Sequence, residues 1–261
     1  MSLGATDSWN LQGRTAVVTG SSTGIGRAIA LRLAEAGANC LIHARRNQQA
    51  ADEVAEQVRA FGVEAKVILA DLAEEEARES FIGEALAWGE SIDVWVNNAG
   101  ADVLTGEAAE WSFDDKLERL WNVDVKATIA LSRSIGANMK QAGRGVILNV
   151  GWDQAEQGMA GESGEMFAAI KGAIMAFSRS LAQSLAPEVR VNCLAPGWIR
   201  TAWADQASDY WNERAESESL VGRWGTPEDV AAMAHFLASD AASFVTGQVV
   251  SINGGFRTNS R

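Results

Sequence analysis

The residues with the clearest chemical reading are Thr19-Gly20-Ser21-Ser22-Thr23-Gly24-Ile25-Gly26, between a short apolar run and a helical pattern. A strand-to-helix turn of this kind offers an anion bare backbone N–H groups and the positive end of a helix dipole. Gly20 suits a tight turn, Gly24 lets the backbone approach a pyrophosphate, and Gly26 lets the helix pack closely on its strand. Glycines also serve turns that bind nothing, so the segment needs support from elsewhere. About twenty residues on, the chain reads His43-Ala44-Arg45-Arg46, with no carboxylate before Asp52. Guanidinium forks there match a phosphate in shape and charge, where an acidic residue would instead hold a ribose 2′-hydroxyl. His43 reads as a sheet residue rather than a catalytic one.

Apolar runs of strand length alternate with helical patterns from end to end. The strands are expected at Thr15–Thr19, Asn39–Ala44, Ala65–Ala70, Val94–Asn97, Val146–Val150, Arg190–Leu194 and Val249–Ile252. The helices are expected at Gly26–Ala36, Gln48–Phe61, Glu74–Trp88, Phe113–Met139, Met166–Ala186 and Pro227–Ala238. Near-uniform apolar strands separated by helices predict a parallel sheet covered on both faces. Right-handed crossovers then give a doubly wound, Rossmann-type α/β fold with its ligand at the carboxyl ends of the strands. No linker or repeat divides residues 1–261, so one domain is expected, with residues 1–10 as a flexible N-terminal stretch.

With 47% apolar residues the chain can bury a large core. Its 34 acidic residues outnumber 22 basic ones, and the net charge of −12 argues against binding nucleic acid. No apolar run reaches the roughly 18–20 residues a membrane span needs. Met1–Asn10 lacks a charged-then-apolar signal pattern, so a cytoplasmic location is expected. Cys40 and Cys193 lie in strand-like runs and read as buried free thiols rather than a disulfide or metal pair.

The Thr19–Gly26 spacing resembles that of the short-chain dehydrogenase/reductase family. Asp71, Asn97-Asn98-Ala99-Gly100, Asn122, Lys171, Pro196-Gly197 and Thr201 carry the same resemblance, in order. Gly222-Arg223-Trp224-Gly225-Thr226-Pro227-Glu228, Thr246-Gly247 and Asn253-Gly254-Gly255 extend it to about residues 11–256. It implies a nicotinamide dinucleotide with Thr19, Gly20, Ser22, Thr23, Gly24, Ile25 and Gly26 around its pyrophosphate. Asp71 and Leu72 would meet the adenine, although an Asp before Glu74 also suits a helix cap. Asn97 would brace the sheet beside Ala99 and Gly100. Pro196, Gly197, Trp198, Ile199 and Thr201 would wrap the nicotinamide, and Lys171 would hold its ribose. With Arg45 and Arg46 in place of an acidic residue, NADP(H) is preferred over NAD(H).

The same resemblance implies a serine, a tyrosine and a lysine around a substrate carbonyl, with an asparagine behind the lysine. Asn122 and Lys171 match, but Trp152 falls at the serine position and Phe167 at the tyrosine position. Tyr210 is the chain's single tyrosine, so no second Tyr-x-x-x-Lys exists. A phenyl ring has no proton to give, and acid–base work on a carbonyl needs one. Asp153, Glu162, Ser163 and Glu165 precede the Lys171 helix, and Asp153 is the first choice for a replacement acid. Acidic residues before a helix also serve its dipole. Trp152, Trp198, Trp203, Tyr210 and Trp211 gather near a substrate loop at about residues 198–222. They suit a flat, aromatic or apolar ligand, or else packing of a lid or subunit. The resemblance further implies a homotetramer or homodimer, in keeping with apolar stripes that include Ile129, Ile174 and Phe177. Two functions are expected: an NADP(H)-dependent oxidoreductase for a carbonyl or alcohol with a non-standard proton-transfer site, or a catalytically silent NADP(H)-binding sensor, scaffold or partner subunit.

Overall fold

Seven parallel strands form one sheet in a computed structural model of the chain, which describes residues 7–89, 91–202, 204 and 207–257. Trp203 and the first six residues of the N-terminal stretch lie outside the described residues. The strands are β1 (Thr15–Val18), β2 (Asn39–Ala44), β3 (Ala65–Leu69), β4 (Val94–Asn97), β5 (Gly145–Val150), β6 (Val189–Pro196) and β7 (Val249–Ile252). Their order across the sheet is β3-β2-β1-β4-β5-β6-β7. The winding reverses between β1 and β4, so their following turns diverge and open a crevice at the carboxyl edge.

The helices are α1 (Gly24–Glu35), α2 (Gln48–Ala60), α3 (Glu75–Leu86), α4 (Phe113–Leu120), α5 (Ala127–Ala142), α6 (Gln154–Gln157), α7 (Glu162–Leu185), α8 (Asp209–Glu218) and α9 (Pro227–Ala238). Successive strand residues point to opposite faces. Val18, Val96 and Leu148 therefore join α1, α2 and α9 in one core cluster, while Val17, Trp95 and Ile147 join α3, α5 and α7 in another. Cys40 and Cys193 are buried free thiols, pushed up by burial to about 12 and about 11. No helix among the described residues is long and apolar enough to cross a membrane.

Three features depart from the sequence pattern. The expected helix Phe113–Met139 is broken by a π-helical segment, Trp121–Lys126, between α4 and α5. Such single-turn π segments sit within otherwise α-helical stretches, and the helical pattern of apolar residues reads as one uninterrupted helix. The Lys171 helix starts at Glu162, four residues earlier than its apolar pattern. Finally, α8 occupies the expected substrate loop, its surface too polar to read as a helix face. The apolar stripe proposed for subunit contact is partly spent at home: Ile174 is buried, and Ile129 and Phe177 pack against the core.

Candidate active site

The crevice begins at the turn after β1. Gly20 has φ +63°, and a Cβ there would stand 2.8 Å from Ala99 Cα. A Cβ on Gly26 would meet Gly20 O at 2.3 Å and Asn98 Nδ2 at 2.4 Å, so only hydrogen fits. Gly24, with φ +55°, opens α1, and no side chain caps that end. Its first-turn amides are thus left for a ligand. Thr19 Oγ1 accepts from the Asn98 and Ala99 amides, both at 3.0 Å, and Asn98 Nδ2 donates to Thr19 O and Gly20 O. His43 Nδ1 accepts from Gly20 N at 2.9 Å, and Nε2 donates to Ala70 O at 3.0 Å. Burial lowers the imidazole to about 4, so it stays neutral with its proton on Nε2. Asn98 and His43 therefore hold the turn in shape. The Asn98 signal stood beside Asn97 in the sequence, and His43 is the sheet residue it was read as.

A cavity of about 930 Å³ runs along the carboxyl edge. Gly20, Ser22, Thr23, Gly24 and Ile25 line it at the turn, with Arg45, Asp71 and Leu72 beyond β2 and β3. Ala99 and Gly100 line it after β4; Pro196, Gly197, Trp198, Ile199 and Thr201 line it after β6. Thr19, Gly26, Arg46 and Asn97 do not. Thr19 and Gly26 act from behind the turn, and Arg46 is exposed outside the cleft. Asn97 is buried in the sheet, where it donates to Ser132 Oγ and Asn149 Oδ1, both at 2.8 Å, and accepts from Trp95 Nε1. Asp71 lies on the cleft, and its carboxylate closes the turn before α3 rather than capping that helix, whose N-cap is Glu74. The carboxylate accepts from Ala73 N at 3.1 Å and is bridged by Arg119 Nη2 at 3.3 Å. Burial alone would raise its carboxyl, but the Ala73 amide and the Arg119 guanidinium outweigh that and hold it below the usual range.

At the other end, Lys171 lies on the cleft with Phe167 one turn before it and Ser163 one turn before that. Positions four apart share a helix face, so α7 presents a hydroxyl, a phenyl ring and an ammonium in a row. The Phe167 and Trp152 rings meet edge to face at 6.3 Å, both on the cleft wall. Asn122 is displaced from its expected role. Lys171 Nζ bonds Asp124 Oδ2 at 2.8 Å, and Asp124 Oδ1 accepts from Ala101 N at 2.9 Å. Helical residues two apart do not face the same side. With Asp124 turned to Lys171, Asn122 points elsewhere, and it does not line the cavity.

Asp153 is likewise not at the cleft surface. Its oxygens accept from Asn253 Nδ2 at 3.0 Å and from Gln154 N at 2.8 Å, tying the end of β5 to the end of β7. Burial pushes this carboxyl up against those two bonds, but it faces structure rather than ligand. Glu162 and Glu165 are exposed, which leaves Ser163 as the one of the four that lines the cavity.

The wall beside Phe167 is aromatic. Trp198 and Trp211 lie 5.6 Å apart, and the Arg214 guanidinium sits 5.6 Å from the Trp198 ring and 5.5 Å from the Trp211 ring. Glu218 accepts from Trp198 Nε1 at 2.8 Å and from Arg214 Nε at 2.6 Å, so α8 is fastened to the strand end. Tyr210 is largely exposed and packs on Trp211 outside the cavity.

A doubly wound parallel sheet with a glycine-lined crevice at its carboxyl edge defines a Rossmann-type protein. A family model described as enoyl-(acyl carrier protein) reductase matches residues 20–257. Tropinone reductase-like 3 from Erythroxylum coca is 35% identical over 248 residues, 94% of this chain and 93% of that protein. The solved 3-oxoacyl (acyl-carrier-protein) reductase from Agrobacterium tumefaciens C58, with NADP bound, superposes with a TM-score of 0.87 at 31% identity, covering 98% of each chain. A 7α-hydroxysteroid dehydrogenase complexed with NADH and 7-oxo glycochenodeoxycholic acid gives a TM-score of 0.89 at 28% identity, covering 99% of this chain and all of the other. The chain belongs to the short-chain dehydrogenase/reductase family.

Proposed function

We propose that the chain is an NADP(H)-dependent oxidoreductase acting on an apolar or aromatic carbonyl or alcohol, with a proton donor other than tyrosine. The observation that carries this reading is one continuous cleft running from the uncapped start of α1, past Arg45, to Lys171. The residues present fit the dinucleotide: Gly20 and Gly26 leave a cradle that any Cβ would fill, and no carboxylate stands at the end of β2. Arg45 meets the 2′-phosphate, and the α1 amides hold the pyrophosphate. When bound, NADP(H) supplies hydride transfer.

The rest falls to this chain's side chains. Trp152, Phe167, Trp198 and Trp211 enclose an apolar substrate and exclude water from it. The Lys171 ammonium, fixed by Asp124, gives a proton to the substrate oxygen that forms as its carbonyl carbon is reduced. The resulting amine regains its proton from solvent at the cleft mouth. Ser163 orients the substrate oxygen from one side.

A second reading, silent NADP(H) binding, is favoured by the Trp152–Phe167 contact, which sets two rings where the resemblance implies two hydroxyls. Titration with NADPH and NADH, followed by a screen of carbonyls and alcohols with the natural chain and Lys171→Met, separates the readings. Turnover that Lys171→Met abolishes supports the first. Firm NADPH binding with no turnover supports the second. The same proposal carries a cytoplasmic location and a homodimer or homotetramer, the latter supported by the exposed Trp111, Phe113 and Trp121. A strictly monomeric species by light scattering would contradict the assembly.

A further inference from the structure

We infer that Arg119 is a nucleotide-binding residue that takes the adenine base, an assignment that rests on the dinucleotide reading above. Arg119 stands in the last turn of α4 and lines the cavity, with its side chain 22% exposed. Among the described residues it bonds Asp71 alone, through Nη2 at 3.3 Å to each oxygen. A guanidinium carries five N–H donors. The Nε and Nη1 donors of Arg119 have no bond to an acceptor among the described residues, on a cavity-lining side chain that is largely covered by its surroundings. Donors in such a place find water or a ligand.

The position selects the ligand atom. The pyrophosphate belongs at the start of α1, and the ribose 2′ substituent belongs at the end of β2 beside Arg45. The adenine extends past that ribose to the next strand, where β3 ends in Ala70-Asp71-Leu72 and Arg119 faces them from α4. Adenine presents ring nitrogens as acceptors and a π-face that attracts a cation, and both suit a guanidinium. The Asp71 carboxylate keeps lone pairs for the amino group. Its pairing with Arg119 also reduces the repulsion a bare carboxylate would exert on the phosphates.

Dissociation constants for NADPH, NADH and reduced nicotinamide mononucleotide, measured by fluorescence titration, test the assignment. Arg119→Ala is expected to weaken NADPH and NADH by the same factor, about tenfold, because the base is common to both. The mononucleotide, which has no adenine, is expected to bind unchanged. Arg45→Ala is expected to weaken NADPH selectively. Because Arg119→Ala uncovers Asp71, the double variant Asp71→Asn/Arg119→Ala is measured too, and it is expected to stay weak. Unchanged affinities in Arg119→Ala would overturn the inference. So would a loss confined to NADPH, which points to the 2′-phosphate, or recovery in the double variant, which leaves a counter-ion only. A natural chain that binds neither dinucleotide would instead overturn the reading beneath it.

Discussion

Lys171 Nζ and Asp124 Oδ2 lie 2.8 Å apart, the Asp124 side chain 2% exposed and the Lys171 side chain 14%. The pair joins α7 to the π-helical segment across the cleft floor, and through the Ala101 amide it reaches the loop after β4.

Breaking this pair leaves a charge with little solvent to replace its partner. Asp124→Asn keeps the acceptor for Ala101 but strands the ammonium, and is expected to cost about 3 kcal/mol. In a chain of this size that lowers the melting temperature by roughly 6–12 °C. A change within 2 °C by calorimetry would contradict the pairing.

Phe167→Tyr with Trp152→Ser sets a phenol one turn from Lys171 and a hydroxyl at the end of β5. A rate gain on generic ketones of about 10²–10⁴ is expected, the usual contribution of a positioned acid. Trp152→Ser also enlarges the cavity, so each single change must be measured to separate access from chemistry. A Trp152→Ser single variant as fast as the double would assign the gain to space alone.

Asp153→Asn is expected to leave nucleotide binding and any turnover within about twofold of the natural chain, because the carboxylate bonds Asn253 and Gln154 behind the cleft. Asp153→Ala removes both acceptors and is expected to cost about 1–3 kcal/mol of stability. Loss of turnover in Asp153→Asn at normal stability would return Asp153 to the chemistry.

His43 sets a pH dependence. The unfolded chain binds a proton on this residue below about 6.5, and the folded chain refuses it until about 4. The His43 contribution is thus complete above the higher value and is lost as pH falls through that window. By pH 5 the loss amounts to about 2 kcal/mol. Denaturant titrations from pH 4.5 to 7.5 should show this slope in the natural chain and a shallower one in His43→Gln. Equal slopes would exclude His43 as its source.

Between the two arginines after β2, Arg45 should carry the nucleotide preference. Arg45→Ala is expected to bring NADPH and NADH affinities together, and Arg46→Ala to leave them apart. Comparison of the four dissociation constants decides it.

The sheet, its order of helices and the glycine turn were legible because each rests on a repeating or local pattern: apolar strands, helical spacing, and glycines where a side chain cannot fit. Phe167 and Lys171 were legible for the same reason, being four apart on one helix. Asp124 was not. Asn122 carried the expected label by residue type, while Asp124, two places on in the π-helical segment, took the contact to Lys171. Asp153 misled differently. Proximity in sequence to Trp152 placed it at the site, but it is the N-cap of α6, and its carboxylate is taken up by the Gln154 amide and Asn253. The donors left over on Arg119 emerge only when α4 is set above β3, a long-range arrangement.

The fit at Gly20 and Gly26 has one more consequence. The nucleotide end is specified by main chain packed against main chain, where even a methyl group collides, so it tolerates almost no drift. The reaction end consists of side chains mounted on α7 and the tip of β5, each replaceable without moving the backbone that carries it. A scaffold divided in this way can gain or abandon a reaction by point substitution while its grip on the nucleotide persists. Chemistry is here an interchangeable fitting, and nucleotide binding belongs to the frame.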